Sequence, residues 1–323
     1  MYKIIWRDVT EREVCTMSDT MNHKILCFGS LNIDHVYSVD HFVAKGETLS
    51  SQKLEIFTGG KGLNQSVALA RAGAETYHAG AIGPDGSFLL DMMKEAGVHT
   101  DYVTMIPDAH TGHAIIQRDK EGDNCILLYG GTNQLITKEQ ADSVLNHFSA
   151  GDYLVLQNEI NQLPYIVEKA HALGMTIVLN PSPMNEKVLQ LPLDEIDIFL
   201  LNEVEAGQIL GSHVSEGRAL AAALRERFPN ATVVLTLGGD GSVCVCSDGT
   251  FFQPAYKTHV ADTTAAGDTY TGYFLASLLH GSSVADSMKA ASAAASIACS
   301  RKGAAPSIPA AGEVAAYLDA QGA

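Results

Sequence analysis

The chain has no apolar run approaching the roughly 18 residues that a membrane span requires, so no stretch of it reads as transmembrane. Cations are scarce. Against 37 Asp and Glu stand 21 Lys and Arg, for a formal net charge of −16. That balance argues against nucleic acid or an anionic membrane surface as the main partner. Any phosphate site must then rest on backbone N–H groups and a few placed cations. No CxxC pair occurs among the six cysteines at 15, 27, 125, 244, 246 and 299. They are expected to be reduced core thiols of a cytoplasmic protein, with Cys244 and Cys246 on one face of a strand. The first 22 residues mix Lys3, Arg7, Asp8, Glu11, Arg12 and Glu13 without an apolar core, unlike a secretory signal. They read as an extension, with Met17 or Met21 as a candidate start.

What is present is a strand–helix alternation. Strands are predicted at Lys24–Gly29, Glu75–Ala81, Tyr153–Gln157, Thr176–Leu179, Asp197–Leu201 and Ala231–Leu237. Helices are predicted at Gly62–Arg71, Phe88–Glu95, Pro164–Leu173, Gly217–Phe228 and Val284–Ser300. Continuous apolar strands separated by helices imply a mostly parallel sheet covered on both faces. Two stretches, 35–58 and 111–131, break the rhythm. Rich in β-branched and polar residues, they predict a small antiparallel sheet inserted into the α/β body as a lid, an interface or both.

The most informative segment is Asp262-Thr-Thr-Ala-Ala-Gly-Asp268. Ala265, Ala266 and Gly267 let main-chain N–H groups approach a ligand, and the apolar helical pattern from Thr269 to Leu279 puts them at a helix N-terminus. Such an end favours anions. An acid there would repel a phosphate, so Asp268 makes sense as a base that takes a proton from an attacking hydroxyl. An ordinary helix N-cap is the plainer alternative.

Other polar clusters sit where strands end. Asn32 and Asp34 in Gly29-Ser-Leu-Asn-Ile-Asp34 suit either hydroxyl binding at the carboxyl end of the first strand or an Asx turn. Lys61 and Asn64 in Thr58-Gly-Gly-Lys-Gly-Leu-Asn-Gln65 open a helix without the Walker A spacing. They suit a polyol contact or a solvated turn. Glu159 follows a buried strand. Asn202, Glu203 and Glu205 suit a metal–phosphate assembly or simple helix-end charge matching. Thr236-Leu-Gly238-Gly-Asp-Gly241 is a strand-end glycine turn into a hairpin. A nicotinamide-dependent dehydrogenase would need GxGxxG after the first strand, and Gly29-Ser-Leu-Asn does not supply it.

Taken in order, Asn32/Asp34, GGKGxNQ, Asn180-Pro-Ser-Pro183, NEVEA, TLGxxG and DTTAAGD resemble the ribokinase (PfkB) family of carbohydrate kinases over about residues 24 to 315. The resemblance implies a ribokinase-like three-layer α/β sandwich, with a mostly parallel central sheet and a small β-sheet lid, as one domain over 23–323. It implies transfer of the ATP γ-phosphate to a sugar, first of all to the 5-hydroxyl of D-ribose. Fructose, 2-keto-3-deoxygluconate and nucleosides are alternatives within the family, and a catalytically silent sugar-binding regulator lies outside it. Asp268 matches the family's base, and the backbone of Ala265, Ala266 and Gly267 its anion hole. Asn32, Asp34, Gly60, Lys61, Asn64 and Glu159 match sugar positions. Asn202, Thr236, Gly238, Gly241 and Gly267 match the nucleotide positions, and Glu205 the Mg²⁺ position. The monovalent-cation loop, for K⁺, resembles Asp262, Thr264, Ala298, Arg301, Gly303 and Ser307. A homodimer through the lid is also implied. This chain departs from the family pattern at Ile33, where a small residue is usual, and at Asn158.

Overall fold

Ile25–Phe28 (β1) is fully buried along its whole length, and the rest of the body is built outward from it. The computed structural model describes residues 23–211 and 216–322; the expected N-terminal extension, with Cys15, lies outside them. On one side β1 pairs with Thr76–Ile82 (β4), which pairs with His99–Met105 (β5). On the other side follow Tyr153–Gln157 (β8), Thr176–Asn180 (β9), Ile198–Asn202 (β10) and Thr232–Thr236 (β11). Every pairing from β5 across to β11 is parallel. Ser242–Cys246 (β12) and Gly249–Gln253 (β13) close the edge with antiparallel hairpins.

Period-2 alternation sends neighbouring residues of each strand into different cores. Leu26, Phe28, Leu154, Leu156, Phe199 and Leu201 pack on one side, against Lys138–Leu145 (α3), Leu163–Ala172 (α4), Glu203–Leu210 (α5) and Gly217–Arg227 (α6). Ile25, Cys27, Val155, Val178, Leu200 and Val234 pack on the other. There they meet Lys61–Arg71 (α1), Ser87–Glu95 (α2), Ala266–Leu279 (α7), Val284–Cys299 (α8) and Ala311–Gly322 (α9). The result is the expected three-layer sandwich. Among the described residues no helix is long and apolar enough to cross a membrane.

The inserted sheet has the order β3-β2-β6-β7, from Asn32–Ser38 (β2), Lys53–Gly59 (β3), Gly112–Arg118 (β6) and Asn124–Tyr129 (β7). It is not the antiparallel sheet expected. Its central pair, β2 and β6, is parallel, flanked by antiparallel partners. The reason is topological: after β3 the chain crosses the body through α1, β4, α2 and β5 before returning, and such a crossover permits a parallel pair. The thiols also differ from expectation. Cys27 and Cys244 are buried, Cys246 and Cys299 are half-buried, and Cys125 on β7 is exposed rather than in the core.

One close approach positions the chemistry. A Cβ on Gly272 of α7 would lie 2.4 Å from the Ala68 Cβ of α1. Only glycine therefore lets these two helices come together at this depth. One turn earlier in each, Asn64 and Asp268 meet.

Candidate active site

The N-terminus of α7 is shaped by an unusual backbone. Ala265, its N-cap residue, has φ 60° and ψ 11°, the left-handed region. A non-glycine residue there costs about 1–2 kcal/mol, and such strain concentrates at functional positions. A turn of this kind can leave neighbouring N–H groups free for an anion. The expected trio of free amides needs one correction. The Ala266 N–H donates to the Thr263 carbonyl at 3.2 Å, because the tight turn folds it back onto its own loop. The N–H groups of Ala265, Gly267 and Asp268 have no acceptor among the described residues.

Asp268 follows in the first helical turn and is 6 % exposed. Its carboxylate is not bare: Asn64 Nδ2 donates to Oδ2 at 3.0 Å, and Gln65 Nε2 donates to Oδ1 at 2.9 Å. Each oxygen keeps acceptor capacity toward the cleft. The Asn64 Oδ1 atom is buried without a partner among the described residues. A buried acceptor left unpaired costs about 1–3 kcal/mol, which suits a ligand hydroxyl as its complement.

The cleft, of about 890 Å³, brings together Asn32, Asp34, Gly60, Lys61, Asn64, Glu159 and Asp268 at one end. Its floor is the start of α1, where Gly60 holds φ 94° and a Cβ on it would lie 2.9 Å from the Ser30 carbonyl oxygen and 3.0 Å from the Asn32 nitrogen, leaving no space for a side chain. Its roof is the inner face of the lid, where Asn32, Asp34 and Val36 point inward on alternate positions of β2. Glu159 Oε2 accepts from the Ser30 hydroxyl and, at 2.9 Å, from the Lys61 N–H. Asn32 Oδ1 accepts from Asn133 Nδ2 at 2.7 Å, and Asn133 Oδ1 in turn accepts from the Leu31 N–H at 3.0 Å.

Charge is tightly coupled here. Burial, reinforced by the Glu159 charge, pushes the Asp34 carboxyl up to about 7. Burial also raises Glu159, although the Ser30 hydroxyl and Lys61 oppose it. For Lys61 burial works against the ammonium, but the carboxylates of Asp268, Glu159 and Glu205 outweigh it and hold it above the usual lysine value. Lys61 is thus a firmly charged cation among acids.

At the other end Asn202, Thr236, Gly238 and Glu205 line the same cleft. Asn202 and Glu205 form a reciprocal capping box on α5, each backbone N–H donating to the other's side chain at 3.0 Å. That is the helix-end role weighed from sequence. Glu205 Oε1 makes no hydrogen bond among the described residues, and Glu205 lines the cleft. Gly241 lies instead in an adjoining cavity of about 430 Å³, entered past Thr236 and Gly238 and lined by Tyr256, Ser292, Ala295 and Cys299.

Of the residues expected in the monovalent-cation loop, Asp262, Thr264 and Gly303 line the cleft. Asp262 Oδ1 accepts from the N–H (2.9 Å) and hydroxyl (2.6 Å) of Thr264, and Oδ2 accepts from the Gly303 N–H at 3.1 Å. Burial pushes the Asp262 carboxyl up, but these bonds and the Arg118 charge prevail and keep it below its usual value. The other three do not line the cleft. The Ala298 carbonyl accepts the Arg301 N–H, the Arg301 guanidinium turns to Glu313 at 2.5 Å, and the Ser307 hydroxyl donates to Ala304. Among the described residues no three His, Cys, Asp or Glu side chains cluster as a metal site.

Of the two departures from the family pattern, Ile33 is 6 % exposed and packs into the core beneath the sheet, not into the cleft. Asn158 donates to the Pro183 carbonyl at 2.6 Å, ordering a turn that lines the cleft. Sequence reasoning passed over Ser30, Asn133 and Gln65 as individual groups. Ser30 and Gln65 stand inside motifs already quoted, which was the available signal; Asn133 lies in no motif.

Residues 22–311 match the pfkB family of carbohydrate kinases. The ribokinase of Staphylococcus aureus strain COL is 35% identical over 298 residues, covering 90% of this chain and 97% of that protein. The crystal structure of Cryptococcus neoformans ribokinase in complex with ADP has a TM-score of 0.79 at 34% identity, covering 91% of this chain and 99% of the other. Arabidopsis thaliana ribokinase complexed with ribose and ATP gives a TM-score of 0.81 at 28% identity, with 92% and 99% covered. The chain belongs to the pfkB family of carbohydrate kinases and is an ATP-dependent sugar kinase.

Proposed function

We propose that this enzyme transfers the ATP γ-phosphoryl group to the 5-hydroxyl of D-ribose, giving ribose 5-phosphate and ADP. The observation that carries the reading is the buried Asp268 carboxylate, held by two side-chain amides at the start of α7, in a cleft where Asn64 Oδ1 has no partner among the described residues. The relatives' names and the ribose and ATP of the Arabidopsis complex support the choice of sugar. So does the burial of Ile33 away from the cleft, which leaves the hydroxyl-binding end in its family form.

In this account the sugar lies between Asp34, Asn64, Lys61 and Glu159, with its primary hydroxyl against Asp268. Phosphoryl transfer needs alignment and charge neutralisation more than covalent help. Asp268 takes the hydroxyl proton as the oxygen attacks phosphorus. The N–H groups of Ala265, Gly267 and Asp268 receive the equatorial phosphoryl oxygens, and ADP leaves toward Thr236 and Gly238, with its base in the cavity beyond Gly241. Lys61 adds a cation beside the reacting groups.

Glu205 lines the cleft, and its Oε1, without a hydrogen-bond partner among the described residues, fits a role beside Mg²⁺, directly or through water. Mg²⁺ when bound neutralises phosphate charge. Ionised Asp262 fits a charge near K⁺, whose ligands there would be mainly carbonyl oxygens of the loop. Thr264 and Gly303 would shape that loop, and a cation held there would act structurally on the neighbouring nest.

A second copy of the chain fits the outer face of the lid, where Leu54, Ile56, Ile115, Leu127 and Tyr129 are exposed on one side. A contiguous apolar sheet face of this kind is commonly an interface. Phosphorylation of D-ribose, 2-deoxyribose, fructose, adenosine and 2-keto-3-deoxygluconate, with ATP and Mg²⁺ and with or without K⁺, tests the reading. The highest kcat/KM is expected for D-ribose; preference for another acceptor would move the enzyme elsewhere in the family.

A further inference from the structure

Gln65 and Gln157 are both fully buried, an uncommon place for uncharged amides; both amide atoms of Gln65 are hydrogen-bonded, whereas Gln157 Oε1 has no partner among the described residues. They form one directed chain. The Leu200 carbonyl accepts from Asn180 Nδ2 at 2.8 Å, which turns Asn180 Oδ1 toward Gln65. Gln157 Nε2 donates to Gln65 Oε1 at 2.6 Å. Gln65 Nε2 is then left facing two acceptors, Asn180 Oδ1 at 3.3 Å and Asp268 Oδ1 at 2.9 Å. A reversed Gln65 amide would set oxygen against both acceptors and NH₂ against NH₂, so only one orientation is compatible with its neighbours.

The register explains how this comes about. Gln157 and Asn180 are paired at the carboxyl ends of the parallel strands β8 and β9, directly below the first turn of α1. Two strands and two helices thus meet at one hydrogen-bonded point beneath the base.

We infer that Gln65 is a positioning residue for Asp268, and that Gln157 and Asn180 fix the polarity of its amide. Asn64 is placed to serve both carboxylate and sugar, whereas Gln65 contacts only the carboxylate and the framework beneath. It sets the plane of the base without touching substrate. A misplacement of a reacting group by about 1 Å costs on the order of 10²-fold in rate. Loss of Gln65 should therefore appear in kcat and spare ground-state binding.

The inference rests on Asp268 being the base, and the test separates the two. Gln65→Met and Gln157→Met keep side-chain length and remove the amide. Gln65→Met is expected to lower kcat by about 10–100-fold, with KM for ribose and ATP within about 3-fold of wild type. Gln157→Met is expected to lower kcat by about 3–10-fold with the same unchanged KM values. Because the second acts through the first, the double variant should be no slower than Gln65→Met by more than about 2-fold. Losses that multiply would overturn the relay. Wild-type kcat in Gln65→Met, alongside an inactive Asp268→Asn, would sink the positioning role and leave the base intact. Near-normal turnover by Asp268→Asn would remove the base itself. Should Gln65→Met fail to fold, Gln157→Met decides alone, and an unchanged kcat in it would refute the inference.

Discussion

The two ends of the cleft are built from different materials. Under the lid, the groups facing the cavity are side chains: Asn32, Asp34, Lys61, Asn64 and Glu159, several of them buried and mutually charged. Toward Gly238 the lining comes from a glycine turn and a helix cap, with Asn202, Glu205 and Thr236 the polar residues there. A sugar offers hydroxyls in a fixed stereochemical pattern, and only placed side chains can match it and penalise analogues that lack one. A triphosphate offers repeated oxygens of one kind, which main-chain N–H groups can satisfy. Selectivity should therefore be sensitive to single substitutions at the first end and tolerant of them at the second.

The largest effect expected from that contrast comes from Asp34. Asp34→Asn should lower kcat/KM for ribose by about 10–100-fold, the scale of a lost charged hydrogen bond, while KM for ATP stays near wild type. Comparable losses toward both substrates would erase the distinction between the ends.

The same variant has a stability signature. The folded-state pKa of Asp34 is raised from 3.8 to about 7, so folding favours the neutral acid. Its contribution is complete below pH 3.8 and is lost as pH rises through about 7. Without sugar, the wild-type enzyme should lose on the order of 2 kcal/mol more stability between pH 5 and pH 8 than Asp34→Asn does. Parallel unfolding curves at the two pH values would contradict that burial effect.

A smaller effect is expected across the cleft. Thr236→Ala removes one neutral hydroxyl and should raise KM for ATP about 2–10-fold with KM for ribose unchanged. A larger loss would mean that the nucleotide end depends on side chains after all. The least effect on chemistry should come from the outer lid. Leu127→Asp is expected to halve the mass seen by light scattering and to leave kcat within a few-fold. A wild-type mass of one chain would exclude pairing through this face.

Much of this architecture was legible in the sequence because it is local. Apolar runs such as Ile25–Phe28, glycine stops at Gly73, Gly97 and Gly174, and the small residues before Asp268 each express a short-range rule. What was not legible is long-range. The parallel β2–β6 pairing depends on where the chain goes between Gly59 and Gly112. The reach of Gln65 to Asp268 spans 203 positions and depends on Gly272 admitting α1 against α7. The tethering of the Ala266 N–H depends on the turn that Ala265 adopts. Asn133, outside every motif, braces Asn32 through folding alone.

The most direct test is the turnover of Asp268→Asn at saturating D-ribose and ATP, with ATP binding measured on the same preparation. Removal of the base should reduce kcat by about 10²–10⁴-fold or more while ATP affinity stays within a few-fold of wild type. Turnover within a few-fold of wild type would contradict the account, because an amide of the same shape cannot take the hydroxyl proton.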